Sequence, residues 1–139
     1  MDLAEGIGKL HLRLSRALDQ SMAREGVSFA RYKLLRFVQT YQPTRSRDIA
    51  DFFGFAPRTV TEAIDALERE NLVVRTRDPQ DRRAKPITLT AAGAAAIMAS
   101  GGPLTTLVDH VYGSLDDDDR ETLARLLKEL ISKLDARIS

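Results

Sequence analysis

Residues Pro57–Arg77, PRTVTEAIDALERENLVVRTR, and the turn that follows, Asp78–Arg83, DPQDRR, decide the reading of the chain. On a helical period Val60, Ala63, Ile64 and Leu67 fall on one face, and Arg58, Thr61, Glu62, Asp65 and Arg69 on the opposite one. The first face is suited to burial. The second must meet water or a polar partner. Pro57 is placed to open the helix, because the first helical N–H has no partner to lose. Leu72–Arg77, LVVRTR, is β-branched and alternating and reads as a strand. DPQDRR is turn material, and Ala84–Thr90, AKPITLT, reads as a second strand. The two predict an antiparallel hairpin, with Pro86 at an edge because it cannot donate to the ladder.

Upstream, Ile49, Ala50 and Phe53 recur at helical spacing in a short helix of about Arg47 to Phe53, for which Ser46 or Thr44 is the expected N-cap. Gly54 stands where a left-handed C-cap residue belongs. Only Gly54, Phe55 and Ala56 then separate this helix from Pro57, which is helix-turn-helix spacing. Before it, Ser28 caps a helix, FARYKLLRFVQTY, with Leu34, Leu35, Phe37 and Val38 on its buried side. The first helix runs from Leu3 to about Arg24. Leu3, Ile7, Leu10, Leu14 and Ala17 form its apolar seam, widened by Leu18 and Met22, and Gly26 ends it.

Downstream, Thr90 or a neighbour caps the helix AAGAAAIMAS, Gly101-Gly102-Pro103 interrupts it, and LTTLVDHVYG resumes the pattern. One long helix, kinked or broken near 101–103, is the expectation, with two separate helices as the alternative. Asp116 caps the last helix, whose apolar face comprises Leu123, Leu126, Leu127, Leu130, Ile131, Leu134 and Ile138. The order is α-α-α-α-β-β-α-α. The expected fold is mainly α with a small β-hairpin wing (α+β). A winged helix-turn-helix lobe, residues 27–93, is flanked by dimerisation helices, 1–26 and 94–139, in a single domain spanning 1–139. A small globule cannot cover both terminal leucine faces, so a homodimer with interlocked terminal helices is expected.

Composition narrows the function. The 139 residues are 43% apolar and 29% charged, as in a folded globular chain. There is no cysteine, which excludes a disulfide framework, a cysteine zinc site and a thiol redox switch. MDLAEGIGKLHL lacks the pattern of a signal peptide, and no apolar run approaches the ~18 residues of a membrane span, so a cytoplasmic protein without a membrane partner is expected. Net charge is only +1, but its distribution is uneven. Residues 27–48 carry five Lys/Arg against one Asp, and 72–90 five against two Asp, whereas 114–139 carry seven Asp/Glu against five Lys/Arg. This clustering favours a polyanion for the middle section. No nucleophile elbow, phosphate loop or metal-ligand cluster is present, so neither an enzyme nor a cofactor or metal is expected. Asp116–Asp119 point in different directions around a helix and suit its N-terminus better than an ion.

These features together resemble the MarR family of winged helix-turn-helix transcription regulators. The resemblance covers nearly the whole chain and is strongest over DIADFFGFAPRTVTEAIDALERENLVVRTRDPQDRRAKPITLTAAG. It rests on the helix-turn-helix, the passage from Leu67 to Arg75, the wing motif Asp81-Arg82-Arg83, and the closing Leu89, Thr90, Gly93. It implies a homodimer that reads a pseudo-palindromic duplex and represses or activates nearby promoters, often released by a small ligand. A ligand-responsive repressor is the expectation. A small aromatic or anionic effector is implied, with its contact residues unassigned. The chain departs from the family where Ala56 replaces a frequent Ser, where Glu62 replaces a frequent basic residue, and where Pro86 replaces an aliphatic one.

For such a protein the recognition helix, 57–70, enters the major groove and the wing, 78–84, the minor groove. Pro57, Arg58, Thr59, Thr61 and Glu62 lie at the leading end of that helix. Arg58 suits guanine N7/O6, Glu62 suits cytosine N4, and Thr59 and Thr61 suit a thymine methyl or a phosphate. Arg83 is the expected minor-groove residue, with Asp81 holding its guanidinium. Arg75, Arg77, Arg82 and Lys85 are candidate phosphate contacts, as are Ser46 and Arg47 at a helix N-terminus. The alternative is a winged-helix protein-interaction module without specific DNA binding, suggested by the low net charge and by Glu62.

Overall fold

The computed structural model describes residues 1–81 and 83–138. Six α-helices and a two-stranded sheet follow one another as α1 (Leu3–Met22), α2 (Phe29–Tyr41), α3 (Ser46–Phe53), α4 (Pro57–Arg69), β1 (Val73–Arg75), β2 (Ile87–Leu89), α5 (Ala91–Tyr112) and α6 (Asp117–Ile138). A short 3-10 turn, Ala23–Glu25, continues α1 and stops at Gly26 in the left-handed conformation. Packing divides the chain into Met1–Leu104 and Thr105–Ser139.

The first unit is built around one apolar cluster. Met22 of α1, Leu34, Leu35, Phe37 and Val38 of α2, Ile49 and Ala50 of α3, and Val60, Ile64 and Leu67 of α4 meet Val73, Ile87 and Ile97 there. The periodic positions of α2, α3 and α4 are thus the ones out of water, as their spacing requires. Ser28 caps α2, its Oγ accepting from Arg31 N–H at 3.2 Å, and Asp19 of α1 accepts from Phe29 N–H at 2.6 Å.

The start of α3 differs from expectation. Neither Ser46 nor Thr44 caps it. Arg45 is the N-cap, and Asp48 accepts from the Arg45 N–H at 3.0 Å, closing the first turn from inside the helix. Thr44 is instead drawn into the sheet: it exchanges backbone hydrogen bonds with Ile87, at 3.1 and 2.7 Å. β2 therefore lies between Thr44 and β1, where the register is Val73 with Leu89, Val74 with Thr88 and Arg75 with Ile87. Both strands are shorter than their β-branched runs suggested. Pro86 falls just outside the ladder, where its carbonyl accepts from Thr76 N–H at 2.9 Å.

Helix α4 ends in a Schellman turn. Leu72 N–H reaches the Leu67 carbonyl and Asn71 N–H that of Glu68, both at 2.9 Å, with Asn71 at φ 62°. That turn and the start of α5 are locked together. Thr90 Oγ1 donates to the Asn71 carbonyl at 2.7 Å and accepts from Gly93 N–H at 3.0 Å. Gly93 then comes so close that an added Cβ would lie 2.2 Å from the Leu72 carbonyl oxygen and 2.7 Å from Leu89 Cδ1.

Helix α5 is assigned without interruption through Gly101, Gly102 and Pro103, so the two-helix alternative does not hold. It is also long and apolar enough, by length and composition, to cross a bilayer. This differs from the expectation that no apolar run approaches a span, because glycine, serine, proline and threonine interrupt residues 91–108 without adding charge. Gly93, Ile97 and Ser100 are buried, giving the helix a core-facing side. In the second unit Asp116 caps α6, accepting from Asp119 N–H at 2.8 Å. None of the described residues of α6 is buried: Leu126, Leu127, Leu130, Ile131, Leu134 and Ile138 are all exposed.

Replacing Gly93 with Ala should push α5 off the hairpin and cost about 1–3 kcal/mol of stability. Urea unfolding measures this, and an unchanged midpoint would contradict the close-packing account.

Candidate nucleic-acid interface

After Pro57, the outward face of α4 carries only polar side chains in its first two turns. Pro57 occupies the first helical position and Ala56 the N-cap, without a side-chain cap bond. Pro57, Arg58, Thr59, Thr61 and Glu62 are all exposed. Arg58 Nε donates to Glu62 Oε1 at 3.1 Å, one helical turn on. Thr61 Oγ1 donates back to the Pro57 carbonyl at 3.0 Å. Glu62 therefore faces the same way as Arg58 and holds it by Nε, leaving the outer edge of the guanidinium open.

Beside this face lies an open cleft of about 870 Å³, walled by the start of α3, by α4 and by the wing. Ser46, Arg47, Thr61, Arg75, Arg77, Asp81, Arg83 and Lys85 line it, so most of the residues singled out from sequence converge there. Pro57, Arg58, Thr59 and Glu62 do not line it; they lie at the leading end of α4. Arg82 lies outside the described residues.

The charges in the cleft are not equivalent. Arg75 is only 17% exposed, and its Nη1 lies 2.7 Å from Asp65 Oδ1 and 3.1 Å from Glu68 Oε1. Glu68 Oε2 also accepts from the Arg75 backbone N–H at 3.2 Å. Arg75 is thus committed to two carboxylates of its own chain. Arg45 reaches Asp78 of the wing at 4.0 Å. Arg47, Arg77, Arg83 and Lys85 are exposed, and among the described residues none has a carboxylate within ion-pair distance.

Two Asx turns shape the wing. Asp78 Oδ1 accepts from Gln80 N–H at 2.9 Å, and Asp81 Oδ1 from Arg83 N–H at 3.0 Å. The Asp81 bond to Arg83 is therefore to the backbone; among the described residues the expected carboxylate–guanidinium pair is not formed. Asp81 fixes the turn and leaves the Arg83 side chain to project. Ala84, which follows this turn, is buried.

Arg45, Asp48 and Glu68 also belong to the site. Arg45 and Asp48 are not singled out in the sequence because Ser46 or Thr44 is the expected cap, although the Arg45-to-Asp48 spacing is that of a capping box. Glu68 is not singled out, because its partner Arg75 lies on another element. The place of Glu68 one turn beyond Asp65 on the same face was the available signal.

Two helices joined by a three-residue turn, followed by a hairpin packed on the same core, define a winged helix-turn-helix lobe. The MarR family model matches residues 27–85, which covers α2, α3, α4 and β1 and stops short of β2. The uncharacterized HTH-type transcriptional regulator YwhA of Bacillus subtilis is 25% identical over 120 residues, covering 86% of each chain. The HTH-type transcriptional regulator PrsX of Escherichia coli is 26% identical over 125 residues, 88% of this chain and 75% of that one. Among solved structures, the S. aureus MepR–DNA complex superposes with a TM-score of 0.88 at 21% identity, over 96% of this chain and 98% of MepR. The transcriptional repressor CouR, bound to a 23-mer DNA duplex, superposes with a TM-score of 0.87 at 25% identity, over 94% and 92%. Over its winged lobe the chain is similar to the MarR family of winged helix-turn-helix transcription regulators. The fold and these likenesses indicate a DNA-binding transcriptional regulator.

Asp81→Ala should remove about 0.5–1.5 kcal/mol of local support from the wing. Faster amide exchange at Arg83, with a nearly unchanged melting temperature, is the expected readout; unaltered exchange would show that the Asx turn does not hold the tip.

Proposed function

We propose that the chain is a sequence-specific, ligand-responsive homodimeric repressor of cytoplasmic promoters. The reading rests above all on one observation: four exposed cations without carboxylate partners among the described residues, Arg47, Arg77, Arg83 and Lys85, beside the outward face of α4. The MepR and CouR structures, both with DNA, support carrying the binding mode to this fold.

Helix α4 enters the major groove leading end first, so that Pro57 sets the approach and Arg58, Thr59, Thr61 and Glu62 meet base edges or flanking phosphates. Arg83 enters the adjacent minor groove, where a narrow A·T-rich segment concentrates negative potential. Ser46 and Arg47 at the start of α3 contact backbone phosphate with the help of the helix N-terminus, and Arg77, Lys85 and Arg82 do so from the wing. Asp81 contributes by shaping the tip. A second copy of the chain covers the exposed leucines of α1 and α6, since full burial of each such side chain yields about 1.5–3 kcal/mol. A two-fold dimer would then match a pseudo-palindromic operator. The effector is a small aromatic or anionic molecule whose binding shifts the two lobes.

Selection from random duplexes tests the reading. It predicts an enriched pseudo-palindrome whose affinity falls steeply as salt rises. Arg83→Ala should weaken that duplex by about 1–3 kcal/mol, or about 10- to 100-fold. No enriched palindrome, with binding indifferent to salt, would overturn it in favour of a protein-binding winged helix. Separately, Leu130→Glu with Leu134→Glu should convert the dimer to a monomer in sedimentation and abolish palindrome binding; a dimer that persists would place the interface elsewhere.

A further inference from the structure

Arg75 is the last residue of β1, where the strand leaves the ladder for the wing. Its guanidinium is gripped by Asp65 and Glu68 of α4, and Glu68 takes the Arg75 backbone N–H with its other oxygen. Helix and wing are thus tied through both the side chain and the main chain of one residue. Opposite Arg75 in the ladder stands Ile87, fully buried and bonded to Thr44 on its far side, so the base of the wing cannot shift without breaking the sheet.

We propose that Arg75 is a positioning residue. With Asp65 and Glu68 it fixes the wing at a set distance and angle from α4, so that Arg83 and the leading end of the helix meet adjacent grooves together. This rests on the DNA-binding reading and departs from a phosphate contact for Arg75. A guanidinium already holding two carboxylates, and largely shielded from solvent, has little left to offer a phosphate. The charges in the cleft say the same: two carboxylates facing a duplex would repel it, and holding them on Arg75 turns them into structural groups. Rigid coupling matters because a contact made by a loosely hinged wing carries the entropy of ordering that wing.

The chain has no cysteine, so Arg69→Cys on α4 and Gln80→Cys in the wing, with the labelled chain diluted into an excess of unlabelled chain so that each dimer carries one labelled copy, provide one pair of spin-label sites. The expected result is one narrow distance distribution with Arg75 present and a broad one in Arg75→Met. A double-mutant cycle on the selected duplex gives the functional readout. Arg83→Ala should cost about tenfold or more when Arg75 is present and less than about twofold in Arg75→Met. Additive penalties would mean that Arg75 touches DNA on its own account and would overturn the proposal, as would a distance distribution that does not broaden. The triple variant Asp65→Asn/Glu68→Gln/Arg75→Met separates coupling from charge. It removes the carboxylates that Arg75→Met leaves uncompensated, so recovery of the Arg83 contribution would reduce Arg75 to a counterion and overturn the proposal, whereas continued loss supports it. Should Arg75→Met fail to fold, Asp65→Asn/Glu68→Gln opens the same link from the helix side and supplies the cycle. A parent chain that binds no duplex overturns the DNA reading, while the label distances, which need no DNA, still decide the coupling.

Discussion

Val60, Ile64 and Leu67 must leave water, and the rest of the winged lobe follows from where they go. They enter one cluster with Leu35 and Val38 of α2, Ile49 of α3, and Val73 and Ile87 of the hairpin. Once that stripe is buried, the helical period leaves Arg58, Thr61, Glu62 and Asp65 no direction but outward. Specificity in such a lobe is therefore a by-product of packing: the apolar half of α4 orients the polar half. The turn before α4 serves the same end. Gly54 takes a left-handed conformation at φ 70°, which lets α3 stop and Pro57 begin only three residues later.

The wing depends on the same core through a chain of polar ties. Thr44 pairs with Ile87, Arg75 with Asp65 and Glu68, Thr90 with Asn71 and Gly93, and Asp81 with the Arg83 backbone. Each link joins elements that are neighbours in space but separated in sequence, or fixes a turn that has few apolar contacts of its own. A hairpin of three-residue strands would be marginal in isolation. Here it borrows rigidity from α4 on one side and from the start of α5 on the other. The cations that remain unpaired are the ones such a frame can hold out toward a polyanion.

Helical periodicity, the Gly54 and Pro57 punctuation and the β-branched run before DPQDRR carried most of the fold in plain sight, because each is a local signal. The parts that were not legible are those set by partners distant in sequence. Thr44 looked like a cap because nothing local shows that Ile87 will claim its backbone. Arg75 looked like a free cation because its carboxylates lie seven and ten residues away on another element. The Asp81-to-Arg83 link was foreseen, but not that it would run to the backbone, since a two-residue Asx turn and a side-chain pair have the same sequence. The single long α5 helix was legible from its apolar run, while Gly-Gly-Pro left open a two-helix alternative that the helix does not follow.

The central claim is that α4 and the wing form one rigid reading head that spans adjacent grooves. Hydroxyl-radical footprinting on the selected duplex tests it most directly, because cleavage reports the minor groove. The account predicts a two-fold symmetric pattern with half-sites about 10 bp apart or a multiple of that, each flanked by a minor-groove protection that disappears in Arg83→Ala. Protection that is asymmetric, or that survives removal of the Arg83 side chain, would contradict it.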